Sequence, residues 1–217
     1  MNHTLTLLAF ILISTISFSQ STDFENYRII EVGSISIPNN MEIQSGNYKK
    51  LSETYQKAMS KKFGYEISDN RIVFQQKGLN NSEKQGLASY VRVILETEIG
   101  NFGDFDKLTN KLTATPQEIS DISKECKSQI QQSFAGAGLK LITWNGISIV
   151  TINGRTALKI SYLRQLNDKP YVVVDMYRFQ NNDRLHSLTL SYRQLDEATW
   201  KPLLTKIANS FTITNVR

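Results

Sequence analysis

Histidine and cysteine are almost missing from this chain: its 217 residues contain His3, His186 and Cys126 and no others of either type. A lone cysteine forms no internal disulfide, and a zinc site of Cys and His ligands has no material to be built from. Carboxylate-only sites stay open, but no metal set and no cofactor motif emerges. No Gly-x-Ser-x-Gly nucleophile turn occurs either. Ala135-Gly136-Ala137-Gly138 has the composition of a phosphate cradle, yet it follows a helix end, whereas phosphate loops precede a helix start. Cys126 falls in helical phase with Ile119, Ile122 and Ile130, the pattern of a packing residue rather than a nucleophile.

Charge is missing from the start of the chain. The first 22 residues hold no Asp, Glu, Lys or Arg and enclose the apolar run Leu5 to Ile13. Small residues Ser17 and Ser19 then stand at minus three and minus one from Gln20, the pattern of a secretory signal cut near Ser19/Gln20. Residues 1–20 are therefore expected to be a cleaved signal peptide and the protein to be exported, periplasmic or extracellular. Ser and Thr interrupt the apolar run and no basic flank follows closely, which argues against a retained anchor. Residues 21–217 are of a size for a single domain with a core of its own. The net charge of +5 is mild and the basic residues are scattered, so no nucleic-acid arm is present.

Ile35-Ser36-Ile37-Pro38 reads as an entry strand ended by Pro38 and the turn formers Asn39 and Asn40. Tyr48, Leu51, Tyr55, Met59 and Phe63 recur at helical spacing, with Lys49, Lys50, Lys57, Lys61 and Lys62 mostly off that stripe. This amphipathic helix has a solvated basic face, and its functional reading is contact with an anionic membrane surface. Strands are predicted over 71–75 and 88–97. In the second, Ser89, Val91, Val93 and Leu95 share one face, and Tyr90, Arg92, Ile94 and Glu96 the other. Residues 100–112 read as a loop with one or two helical turns after Asp104.

The sharpest start signal is Thr115-Pro116-Gln117-Glu118, an N-cap, a first-position proline and a capping-box glutamate. The helix it opens is expected to run to Phe134. Antiparallel strands follow: 139–152, broken near Asn145-Gly146; the two-residue turn Asn153-Gly154; then 156–162; and further strands divided by loops at 166–169 and 180–183. Trp200, Leu203, Leu204 and Ile207 mark a closing helix, with Thr199 as the cap needed to place Pro202 in the first turn.

The order Ser34-Ile35-Ser36-Ile37-Pro38, a middle helix, Ile152-Asn153-Gly154-Arg155-Thr156-Ala157 opening a hairpin, the Tyr171 to Phe179 strand, Leu185 to Tyr192 and a helix closing on Ser210-Phe211 resembles the PsbP-like superfamily. That group includes extrinsic photosystem proteins, a Ran-binding nuclear import factor and many secreted bacterial proteins. The resemblance spans nearly the whole mature chain. It implies an α+β fold, an antiparallel meander flanked by helices in an α/β/α sandwich, and a history of binding proteins rather than enzymes. It carries no catalytic residue to transfer.

The strand Tyr171-Val172-Val173-Val174-Asp175-Met176-Tyr177 is apolar on both faces, so two registers are open. In one, Lys159 pairs with Asp175 on the less apolar face beside Arg92 and Arg193, an exposed charged platform edged by Tyr90 and Tyr177. In the other, a turn at Asn181-Asn182 sets Tyr177 opposite His186 and brings Asp175 diagonal to it. An Asp–His pair is half of a hydrolytic triad, but Ser187 and Ser191 project to the opposite strand face and cannot complete it. The leading expectation is a non-catalytic binding module that holds a protein partner on Arg92, Arg193, Tyr177, Tyr90, Lys159 and Asp175. The alternatives are a carrier of an apolar ligand lodged between sheet and helices, suggested by ten Phe and nine Tyr, and a hydrolase using Asp175 and His186.

Overall fold

The computed structural model describes residues 22–46, 49, 50, 53, 54, 71–109, 111, 113–135 and 137–217. The expected signal peptide lies outside them, as does Gly136 of the Ala-Gly-Ala-Gly group.

Among the described residues the strands form a seven-stranded and a three-stranded antiparallel sheet, an α+β fold. The chain opens with β1 (Phe24–Ile29), β2 (Gly33–Pro38) and β3 (Met41–Ile43), then β4 (Arg71–Gln76), a short α1 (Lys84–Leu87) and β5 (Val91–Ile99). Helix α2 (Pro116–Phe134) leads into the meander β6 (Leu139–Ile152), β7 (Arg155–Leu166), β8 (Val172–Asn181) and β9 (Arg184–Arg193). Helix α3 (Glu197–Ser210) and β10 (Thr212–Ile213) close the chain. The large sheet runs β3-β4-β5-β9-β8-β7-β6 and the small one β1-β2-β10.

Local signals explain most of these elements. Thr115 Oγ1 accepts from the Glu118 amide while the Glu118 carboxylate accepts from the Thr115 amide, so the capping box is formed and α2 begins at Pro116. Asn153 (φ 47°) and Gly154 (φ 70°) both adopt the left-handed conformation that a two-residue hairpin turn demands. The expected break in β6 appears as two register shifts, at Leu141/Thr143 and Trp144/Gly146.

The meander places each strand beside its sequence neighbour, and β5 then docks on β9. One face of the sheet presents Val91, Val93, Leu95, Leu188 and Leu190 to Trp200, Leu204 and Ile207 of α3 and to Ile35, Ile37 and Phe211. The opposite face carries a second cluster, where Ile160, Tyr162 and Val174 meet Cys126, Ile130 and Phe134 of α2. Cys126 is half-buried there, and burial raises its thiol pKa, in keeping with a packing role.

Two expectations fail. Among the described residues of 100–112 no helical turn follows Asp104; residues 105 and 106 are spent on the β8–β9 turn, with the Phe105 amide donating to Asn182 O and the Asn182 amide to Asp106 O. Nor does Thr199 cap α3: the N-cap is Asp196, and Pro202 sits inside the helix. A proline there removes one helical hydrogen bond. Burial of Trp200, Leu204, Ile207 and Ala208 along one stripe holds the helix together across it.

Candidate functional site

Residues paired across neighbouring strands share a sheet face, so the ladder decides whether the expected platform exists. Arg92 stands opposite Ser191, which stands opposite Val174, and Val174 opposite Tyr162, all on the α2 face. Asp175 pairs with Leu190, and Leu190 with Val93, on the α3 face. The single charged platform is therefore not formed: Arg92 and the Lys159–Asp175 pair lie on opposite sides of the sheet.

Arg92 is buried rather than exposed. Its Nη1 donates to Gln76 Oε1 at 3.1 Å and to Val91 O at 2.8 Å, and the guanidinium lies 5.1 Å from the Tyr90 ring centre. Tyr90 Oη accepts from Arg164 Nη2. Arg193 is also used internally. It grips Asp196 through Nε and Nη2, both at 2.9 Å, and Nη2 also donates to Ala88 O. Asp196 further accepts from Ser89 Oγ and the Tyr90 amide, and Trp200 Nε1 donates to Ser89 Oγ. Burial pushes the Asp196 carboxyl up, but these donors outweigh it and hold the group below its ordinary value. Together they clasp the start of β5 to the start of α3.

On the other face Lys159 pairs by backbone with Tyr177, and Asp175 with Ser161, so the Lys159–Asp175 contact is diagonal, at 3.1 Å. Ser161 Oγ donates to Asp175 Oδ1, and Lys159 Nζ lies 5.5 Å from the Tyr177 ring centre. Serine beside lysine invites a nucleophilic reading, which requires a neutral amine. Burial lowers the Lys159 pKa, yet Asp175 and Tyr177 outweigh it and keep the ammonium above its ordinary value. The lysine is thus an ion-pair partner. Burial raises the Tyr177 phenol in turn.

The Asp175–His186 pair does not form. The hairpin turn is Asn182-Asp183, so His186 pairs with Phe179 and Tyr177 with Leu188. His186 is fully buried (0% exposed). Its Nδ1 lies 3.0 Å from Thr97 Oγ1 and its Nε2 3.2 Å from Asn181 Nδ2. Asn181 is fixed in orientation because Nδ2 also donates to Asn215 O and Oδ1 accepts from the Arg217 amide. Nε2 must therefore be the acceptor and Nδ1 the protonated nitrogen, donating to Thr97. Burial first, and then nearby Arg184, lower the His186 pKa to about 4.

Lys49 and Lys50 are exposed and helical, and Lys49 pairs with Glu53 at 3.7 Å. Lys57, Lys61 and Lys62 lie outside the described residues, as does the whole stripe of Tyr48, Leu51, Tyr55, Met59 and Phe63. No helix among the described residues is long and apolar enough to cross a membrane.

A different site appears where the two sheets part. Between the β1–β2 turn and the ends of β4, β5 and β9 lies a cleft of about 430 Å³. Ile29, Val32, Ile72 and Leu95 wall it, and Arg28, Arg71, Arg184 and Glu31 also line it. Thr97, the partner of His186, faces the same space. Arg184 is buried, and its Nη1 binds Glu31 Oε2 at 3.0 Å. Arg71 Nε pairs with Glu96 at 3.1 Å, while Arg28 is exposed. Two further lining residues are unusually bare for aliphatics: Ile30 is 85% exposed and Ile99 57%. None of these residues stood out in the sequence, because the three arginines come from strands far apart in the chain. The local trace is the recurrence of Arg28-Ile29, Arg71-Ile72 and Arg184-Leu185, a cation at a strand end beside an aliphatic residue.

No protein-family model matches the chain, and no curated protein matches it. The solution structure of cyanobacterial PsbP from Synechocystis sp. PCC 6803 is similar in fold, with 13% identity, a TM-score of 0.48, and coverage of 93% of this chain and 98% of that one. A Pseudomonas aeruginosa protein, PA94, titled as of unknown function and a putative regulator, is similar at 11% identity and a TM-score of 0.40, covering 87% of this chain and 96% of its own.

Proposed function

We propose that this protein is an exported, non-catalytic binding module that engages its partner at the cleft between the β1–β2 turn and the ends of β4, β5 and β9. Export rests on the uncharged apolar leader. The binding role rests on one observation above the others: a cleft of about 430 Å³, within the usual size range of ligand pockets, that combines arginines with aliphatic walls and exposed Ile30 and Ile99. Polar groups in the interior are committed elsewhere. His186 has both ring nitrogens engaged away from solvent, Lys159 is held protonated by Asp175, and Arg193 is held by Asp196. These act as structural ties, so the cleft rather than the sheet face carries groups free to meet a partner.

The test is site-specific photo-crosslinking in the exporting host. A photo-reactive residue at position 30 or 99 is compared with one at Lys124, on the exposed side of α2. Adducts formed from the cleft positions and not from position 124 support the reading. Adducts of equal yield from all three, or none from the cleft, refute it.

A further inference from the structure

The cleft has the makings of a site for one chemical class. Its cationic side chains are arginines, whose forked donors match a carboxylate better than a point charge does. Arg184 already holds a carboxylate, that of Glu31, at 3.0 Å on Nη1, with the Asp183 carboxylate farther off, 3.9 Å from Nε. Within the Arg184–Glu31 pair freedom is unequal: the Arg184 side chain is 10% exposed and Glu31 61%. The arginine is built in, and the glutamate can leave.

Glu31 is also conformationally unusual. It adopts φ 59°, a left-handed backbone that non-glycine residues seldom take. The Val32 amide donates to Ile29 O, and Asn215 Nδ2 donates to Glu31 O, so the turn itself is fixed while the carboxylate reaches back to Arg184. Beside this ion pair the lining is aliphatic: Ile29, Val32 and Leu95 belong to the main core, and Ile72 packs against it. A cleft lined by both guanidinium groups and aliphatic side chains suits a molecule with an anionic head and an apolar tail.

We infer that the cleft binds a free alkyl carboxylate, its head taking the place of the Glu31 side chain on Arg184 beside Arg28, and its tail lying against Ile72, Leu95 and Ile99. The inference rests on the binding-module reading and names the ligand class for the same site. Glu31 then acts as a resident stand-in for the ligand head: the ligand carboxylate takes over its contact with Arg184 and gains Arg28 beside it. The head selects an anion over an alcohol or an amine, and the tail sets how affinity grows with chain length.

The test is calorimetric titration of the mature protein with octanoate, decanoate and dodecanoate below their micellar concentrations, with decylamine and decanol as comparators. Saturable one-to-one binding is expected, tightening about fourfold per added methylene until the recess is full. Decanol binds more weakly than decanoate, and decylamine does not compete. Arg28→Ala, at an exposed position, weakens decanoate by about two- to fivefold, and Glu31→Gln tightens it by a similar factor. Circular dichroism confirms that both variants stay folded. Failure of any carboxylate to saturate, equal binding of decylamine, or affinities unchanged in both variants overturns the inference. Specific crosslinks at positions 30 and 99 without carboxylate binding would remove the ligand class alone, whereas absence of both removes the site.

Discussion

The buried imidazole of His186 makes the stability of this fold depend on pH in a calculable way. Asn181 Nδ2 points at Nε2 and cannot turn away without losing Asn215 O and the Arg217 amide. Protonating His186 would set an N–H against an N–H in a site closed to water. Burial, and after it the charge of Arg184, take the folded-state pKa from 6.5 down to about 4. A histidine lowered in this way contributes its full stability above pH 6.5, where both states hold it neutral. As pH falls from 6.5 toward 4 the unfolded chain takes up a proton that the folded one refuses. The fall from 6.5 to about 4 predicts a loss on the order of 3 kcal/mol across that window. That is a large share of a typical domain's 5–15 kcal/mol or so. Urea unfolding from pH 7.5 to pH 4, for the mature protein and for His186→Gln, isolates the effect because the carboxylates titrate alike in both. The difference between the two stability curves should change by about 3 kcal/mol, with the native protein losing ground as the solution is acidified. Parallel curves would refute the lowered pKa and burial as its cause.

Two further outcomes follow from packing. Gly33 pairs with Ile213, and a Cβ at position 33 would overlap the Thr212 carbonyl, which is backbone and cannot swing aside. Gly33→Ala should therefore cost about 1–3 kcal/mol and loosen β10 from β2; an unchanged denaturation midpoint would contradict this. Asp196 ties Arg193, Ser89 and the Tyr90 amide together, so Asp196→Ala should cost about 1–3 kcal/mol by leaving those donors unmatched. Amide exchange at Ser89 and Tyr90 should quicken in that variant, and wild-type protection there would argue against the clasp.

Local chemistry was readable from residues alone. Thr115-Pro116-Gln117-Glu118 marked the start of α2, Asn153-Gly154 the β6–β7 turn, and the alternation of Val91, Val93 and Leu95 against Arg92 the two faces of β5. Each depends on contacts within a few residues or on the period of a single strand. The small sheet was less legible. β10 is only two residues long, and it pairs with β2 from the far end of the chain.

The register of β8 on β9 shows where sequence stops. Asn181, Asn182 and Asp183 are all competent turn formers, and choosing 182–183 over 181–182 moves every partner by two positions. Nothing local separates the two choices. The loop after β5 decides, because Gly103 donates to Asn182 Oδ1, Phe105 to Asn182 O and Gly100 to Asp183 O, fixing that pair as the turn and freeing Asn181 to enter the core. With that choice His186 meets Phe179, Thr97 and Asn181, and the Asp175 pairing is lost. The cleft has the same origin. Arg28, Arg71 and Arg184 are ordinary strand-end cations in the sequence, and only the separation of two packed sheets brings them to one opening. The sequence by itself determined most element types, the cap of α2 and the two faces of β5, since these follow from neighbouring residues. Register and convergence depended on contacts between distant segments, and only the tertiary structure could decide them.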